Sequence, residues 1–142
     1  MNKIILFCIA AIVPFFIGVS IYAYPYVDDV DVVGGKLLFL QERTTPEEWQ
    51  QGLSGRSGLC AYCGMIFLFP EADLRGFWMK DMRFPIDIIW LQDGKVVHIE
   101  EHVSHETPEK VYKPNIKVDT VLELPAGGVA QRGIVIGSHL SF

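Results

Sequence analysis

Short apolar segments alternate with turn residues along most of the chain. Residues 64–69 (GMIFLF) and 86–91 (IDIIWL) are bounded by Gly or Pro, a pattern typical of buried strands. Residues 36–41, 118–124 and 134–136 have the same character. The pattern predicts about seven short strands separated by turns rather than by long helices. We therefore expect a mainly β fold, a compact antiparallel barrel or sandwich with one or two short helices.

Two local motifs fix the position of a helix and of a hairpin. Thr45 can cap a helix whose first residue is Pro46, and Glu48 completes a capping box. Asp93 and Gly94 lie between two apolar runs, where a two-residue type I′ turn needs positive φ at both positions. These motifs predict a helix that starts at residue 46 and a tight hairpin.

The N-terminal segment is a continuous apolar run without a charge, residues 4–24. It is long enough for the ~20 residues that cross a bilayer as a helix. Lys3 precedes the run, and Asp28, Asp29 and Asp31 follow it. Since positive charge stays on the cytoplasmic side, the pattern predicts a single-pass transmembrane helix with the following domain on the extracytoplasmic side.

Cleavage of this segment by a signal peptidase would release the domain. However, residues 21–23 (IYA) match the small-x-small cleavage pattern poorly. We therefore favour an uncleaved anchor in the cytoplasmic membrane over a removed signal segment, which would leave a secreted protein. The predicted organisation is an anchor or signal segment over residues 1–26, an acidic spacer over 27–35 and a single β-rich domain over 36–142.

The charge of the chain bears on its partners. The chain has 17 acidic and 12 basic residues, a formal net charge of −5, and one of those cations, Lys3, precedes the apolar run. No basic cluster stands in the remainder. This composition argues against nucleic acid as a partner.

Residues 76–80 (GFWMK) and 85–87 (PID) resemble the core of a bacterial and archaeal family called domain of unknown function 192, in which F-W-M-K precedes I-P-L-D. Further collinear matches extend the resemblance over residues 37–142: residues 45–48 (TPEE), Gly52, Leu53, Arg56, Leu59, and residues 64–67 (GMIF), 93–97 (DGKVV), 121–127 (VLELPAG) and 133–138 (GIVIGS). Asp81 replaces the family's asparagine and Ser138 its aspartate. The resemblance implies a mainly β domain and no agreed reaction.

Cys60 and Cys63 form a C-x-x-C motif directly before a predicted strand. In an exported protein we expect this pair to be oxidised to a structural disulfide. A thioredoxin-like redox centre is the alternative, although such motifs open a helix that follows a strand. A zinc site is a second alternative, and it needs two more suitably spaced ligands.

Three histidines, His98, His102 and His105, alternate with acidic residues after the hairpin. Residues four apart on a strand are about 13 Å apart at ~3.3 Å per residue, too far to share an ion. We therefore expect a solvated strand end, no metal site and no cofactor.

Asp87 interrupts an otherwise apolar strand, and a buried aspartate needs a partner. Lys80 or Arg83 could pair with it and pin the turn. Alternatively, Trp78, Lys80 and Asp87 form a ligand site in which the indole offers a flat face. Tyr112 lies in a long polar loop and is a further ligand-binding candidate.

These features predict a non-catalytic ligand-binding or assembly module held outside the membrane by residues 4–24. A saccharide or a cell-envelope protein is the expected partner, since aromatic rings near acids and amides suit sugars. The alternative is an enzyme: a thiol-redox protein that uses Cys60 and Cys63, or a hydrolase that uses Asp87 and Lys80.

Overall fold

A computed structural model describes residues 27–142, which form eight strands and two short helices. The elements in chain order are β1 (Asp29–Val33), β2 (Lys36–Arg43), α1 (Pro46–Gln51), β3 (Cys63–Asp73), β4 (Phe77–Trp78), β5 (Ile86–Gln92), β6 (Lys95–Val103), β7 (Val111–Tyr112), β8 (Val118–Pro125) and α2 (Gly128–Arg132). The predicted mainly β character is confirmed.

Six strands form one sheet in the order β1-β2-β3-β8-β5-β6, and β4 pairs with β7 in a second, two-stranded sheet. All neighbouring strands are antiparallel except β2 and β3, which are parallel. The parallel pair needs a crossover, and that connection carries α1 and the C-x-x-C loop. The expectation of a barrel is wrong, because β1 and β6 form two edges of the large sheet and, among the described residues, do not pair with each other.

For the N-terminal part of the chain, the sequence predicts a transmembrane run and an acidic spacer. The expected transmembrane run, residues 4–24, lies outside the described residues. Within residues 27–142, no helix has the length and apolar character needed to cross a membrane. The expected acidic spacer is instead largely strand β1, which a turn at Gly34 and Gly35 joins to β2. Both glycines have positive φ, 60° and 73°, as a type I′ hairpin turn requires.

The two local motifs form as predicted. The Thr45 side chain accepts a hydrogen bond from the Glu48 amide, and the Glu48 carboxylate accepts one from the Thr45 amide. These bonds satisfy backbone donors that the first turn of a helix leaves unpaired. At the β5–β6 hairpin, Asp93 and Gly94 have φ values of 51° and 76°.

Alternation along the strands gives the large sheet two apolar faces. Along β5, Ile89 and Leu91 belong to one buried cluster, while Ile88 and Trp90 belong to the other. The first cluster includes Val129 of α2. The second is packed against α1 and β4, and the site described next opens on that face.

Candidate functional site

A cleft of about 320 Å³ opens between the end of α1, strand β3 and the segment that leads into β4. Its walls are rich in aromatic side chains: Trp49, Phe67, Phe69, Phe77 and Trp78. The ring centroids of Trp49 and Phe69 are 4.8 Å apart, and those of Phe67 and Phe77 are 4.9 Å apart in an edge-to-face arrangement. Such pairs hold each other in defined orientations, so the walls are preorganised.

Hydrogen bonds from indole groups fix both sides of the cleft. The Trp49 N–H donates to the Arg43 carbonyl at 2.9 Å, which holds α1 against the end of β2. The N–H of the fully buried Trp90 donates to the Arg75 carbonyl at 2.9 Å. Because the indole N–H groups of Trp49 and Trp90 have backbone partners, the elements that carry the walls are anchored to the sheet.

Trp78 lines the cleft and is 48% exposed, although it is a large aromatic residue. The Lys80 ammonium lies 5.6 Å from the centroid of its ring, within the range of a cation–π contact. The Lys80 carbonyl accepts a hydrogen bond from the Ser54 hydroxyl at 2.9 Å, which ties this turn to the segment after α1. Two of the predicted site residues, Trp78 and Lys80, are therefore neighbours, and of the two only Trp78 lines the cleft.

Glu123 also lines the cleft and is only 5% exposed. It lies on the central strand β8, paired with Met65 on one side and Ile88 on the other. Burial raises the pKa of its carboxyl to about 8, although the positive charges of Arg56 and Arg43 lower it. Its Oε2 atom is buried and has no hydrogen-bond partner among residues 27–142. At neutral pH the cleft therefore contains a mostly protonated carboxylic acid.

Arg75 forms part of the opposite wall. Its guanidinium stacks 4.1 Å above the centre of the Phe69 ring, and its Nη2 donates to the Glu71 carbonyl at 2.8 Å. Its Nε is buried and lacks a hydrogen-bond partner within the described part of the chain. Two residues that line the cleft thus have a buried polar atom without a partner, a donor on Arg75 and a carboxyl oxygen on Glu123, and each costs free energy while it stays unpaired.

Asp87 lies elsewhere. It is fully buried on the face of β5 that lies opposite Ile88 and Trp90, and it does not line the cleft. Its Oδ1 accepts a hydrogen bond from the His102 amide at 2.8 Å, and its Oδ2 accepts one from the Val129 amide at 3.0 Å. Backbone amides thus take the place of the expected cationic partner.

Tyr112 is also separate from the cleft. It is 8% exposed, pairs with Phe77 across the two-stranded sheet and belongs to the buried cluster on that face. Its hydroxyl lies 3.5 Å from the Thr107 hydroxyl, and the Lys110 ammonium lies 4.3 Å from the centre of its ring. Its position makes Tyr112 a support for β4 and hence for Trp78.

Cys60 and Cys63 are joined by a disulfide, with their Cα atoms 5.0 Å apart. The loop between them is attached to α2, because Nη2 of the buried Arg132 donates to the Ala61 carbonyl at 3.3 Å. Burial lowers the pKa of Arg132. Neither cysteine lines the cleft.

The histidines do not converge. His98 Nε2 lies 3.2 Å from Glu100 Oε1, a contact between neighbours on one face of β6. Within residues 27–142, no group of three His, Cys, Asp or Glu side chains is arranged to hold a metal ion.

Sequence reasoning missed two polar groups of the cleft, Glu123 and Arg75. A signal existed for Glu123, because it interrupts the apolar run of residues 121–124 in the way that Asp87 interrupts its own strand. It also falls within the VLELPAG motif. No comparable signal pointed to Arg75, whose place depends on the packing of Phe69.

Comparison with known proteins agrees with this architecture. The family model named domain of unknown function 192, with the description "Uncharacterized ACR", matches residues 33–142. The chain belongs to this family. No curated protein matches the sequence.

Two solved structures are similar to this member of the domain of unknown function 192 family. One is a proposed transcription regulator from Sinorhizobium meliloti 1021, with a TM-score of 0.71 and 29% identity over 79% of this chain and 88% of that one. The other is a protein of unknown function from Novosphingobium aromaticivorans DSM 12444, with a TM-score of 0.72 and 29% identity over 80% of this chain and 81% of that one.

Proposed function

We propose that this protein is a membrane-anchored binding module that holds a saccharide in the cleft beside Trp78. The main support for the proposal is that the exposed ring of Trp78 lines a cleft with aromatic walls. Sugar rings present flat C–H surfaces that pack against such rings, and ligand sites are typically concave and apolar with a few placed polar groups. Glu123 and Arg75 supply those groups.

A binding role is favoured over hydrolysis by the number of carboxyl groups. Glycoside hydrolysis ordinarily uses two carboxyl groups on either side of the scissile bond. Of the described residues that line the cleft, only Glu123 carries one. Asp87, the carboxylate of the hydrolase alternative, has both oxygens bonded to backbone amides.

The anchor remains part of the proposal. The uncharged run of residues 4–24, with Lys3 before it and aspartates after it, supports a single pass through the cytoplasmic membrane with the domain outside. One relative is named as a proposed transcription regulator. The acidic balance of this chain, 17 acidic against 12 basic residues, offers little to attract DNA.

The proposal is tested by binding of the full chain, in detergent, to a glycan array and to peptidoglycan. Trp78→Ala should abolish binding and leave the melting temperature nearly unchanged, because an exposed ring contributes little to the core. Tyr62→Ala is the matched control, since Tyr62 is an exposed aromatic, at 58%, outside the cleft. If Trp78→Ala strongly destabilises the fold and the wild type binds no saccharide, the proposal is contradicted and Trp78 serves only the fold.

A further inference from the structure

The charge of the cleft is opposite in sign to the charge of the chain. The whole chain has a formal charge of −5. Among the described residues that line the cleft, Arg75 is the only cation and Glu123 the only carboxyl group. Because burial keeps Glu123 mostly protonated at neutral pH, the cleft carries a net positive charge within an acidic protein.

The unpaired atoms of the cleft match an acidic ligand. Arg75 is held by its bond to the Glu71 carbonyl and by stacking on Phe69, and this leaves Nε as a donor without a partner in the described part of the chain. A protonated Glu123 is also a donor through its O–H group. A ligand that offers acceptor oxygens would satisfy both donors, and a carboxylate is the stronger acceptor because its bond to arginine is charge-assisted.

A second cation lies next to one of the lining residues, although it does not line the cleft itself. The Lys80 ammonium is 5.6 Å from the centroid of Trp78, the ring against which we propose the sugar stacks. An acidic ligand packed on Trp78 would therefore have positive charge nearby from Lys80 as well as from Arg75. Repulsion from an ionised carboxylate is small, since Glu123 retains its proton.

We propose that the cleft selects a saccharide that carries a carboxylate, such as a uronic acid, with Arg75 and Glu123 donating hydrogen bonds to its oxygens and Trp78 packing against its ring. This inference rests on the proposed function and narrows its ligand class. A neutral sugar would leave the Arg75 donor with a weaker partner and would gain nothing from the positive charge.

The test compares acidic oligosaccharides with their neutral counterparts. Oligogalacturonate and hyaluronan fragments, each paired with its carboxyl-reduced form, are titrated into the full chain in detergent at pH 6.5. We expect at least one acidic member to bind about tenfold more tightly than its reduced form, the difference that one charge-assisted hydrogen bond supplies. Arg75→Met should remove this preference, whereas Lys36→Met, which removes an exposed cation outside the cleft, should preserve it.

The pH dependence of ligand affinity tests the role of Glu123 separately from that of Arg75. Arg43 and Arg56 are the charged groups that act on Glu123, and both lower the pKa that burial raises. Affinity of the wild type for the acidic ligand should therefore fall as the pH rises through about 8, while Glu123→Gln should show a flat profile. A flat wild-type profile would overturn the role of Glu123.

The remaining outcomes separate the two proposals. Equal binding of acidic and reduced forms, lost in Trp78→Ala, would overturn the preference for acidic sugars and leave saccharide binding in place. Failure of the wild type to bind any member, on this panel and on the glycan array, would overturn both.

Discussion

The carboxylate of Asp87 accepts a hydrogen bond from the amide of Val129 at 3.0 Å, and this bond joins the start of β5 to the first turn of α2. The other carboxylate oxygen accepts the His102 amide, on a residue of β6 with a φ of 53°. One buried side chain thus connects β5, β6 and α2. Both oxygens have partners within the fold, and on that ground we predict a structural role.

We expect Asp87→Asn to lower the free energy of unfolding by about 1–3 kcal/mol, because the amide nitrogen that replaces one oxygen cannot accept a backbone N–H. Urea denaturation measures the loss. Asp93→Asn is the matched control: Asp93 is exposed with positive φ, which asparagine tolerates. Similar stability of the two variants would contradict this account of Asp87.

Glu123 should make stability depend on pH. Its carboxyl has a pKa of about 8 in the folded protein and an ordinary value near 4.5 when unfolded, so between these values the folded state holds a proton that the unfolded state has lost. The contribution of Glu123 to the free energy of unfolding should therefore be most favourable below pH 4.5. It should decrease as the pH rises to 8, by about 3 kcal/mol between pH 5 and 7.

Unfolding of Glu123→Gln, measured over the same pH range, should lack this component of the decline. Glu101→Gln changes an exposed residue and serves as the control, with the wild-type slope expected. If all three proteins give the same slope, Glu123 is ionised in the folded state and the account of the cleft's charge is wrong.

Cys60 and Cys63 should resist alkylation in unreduced protein taken from the membrane fraction, while Cys8, which lies outside the described residues, should remain a thiol. Mass spectrometry after alkylation distinguishes these states. Changing both residues to serine should cost no more than about 2 kcal/mol, since the disulfide closes a very short loop. Free labelling of both cysteines would exclude the disulfide in the native protein.

The proposed topology predicts that protease added to intact spheroplasts digests the domain. The proposal rests on Lys3 before the apolar run and the acidic residues after it, a charge pattern that predicts a domain outside the cytoplasmic membrane. A cytoplasmic marker protein should survive the same treatment. Protection of the domain until the cells are lysed would show that the orientation is reversed.

The features that sequence reasoning predicted well are set by neighbouring residues. The capping box needs only Thr45 and Glu48, three positions apart, and the hairpin needs only Asp93 and Gly94 between two apolar runs. The same rule could have identified the first hairpin, because Gly34 and Gly35 also separate two runs of strand-forming residues. The acidic residues of β1 led instead to the expectation of a spacer.

The features that it missed depend on contacts between distant segments. The partners of Asp87 are amides of β6 and α2, and no rule of spacing connects them. The raised pKa of Glu123 arises because β8 enters the sheet between β3 and β5, a placement that local patterns do not encode. The parallel pairing of β2 and β3 escaped prediction for the same reason.

The central position of β8 has a consequence for how the chain folds. This strand is the last of the eight to be synthesised, yet it supplies the contacts that join β3 to β5. Until it emerges, β3 and β5 lack the strand that joins them. Contacts between such distant segments slow folding, so the complete sheet should form only after residues 118–125 have been synthesised.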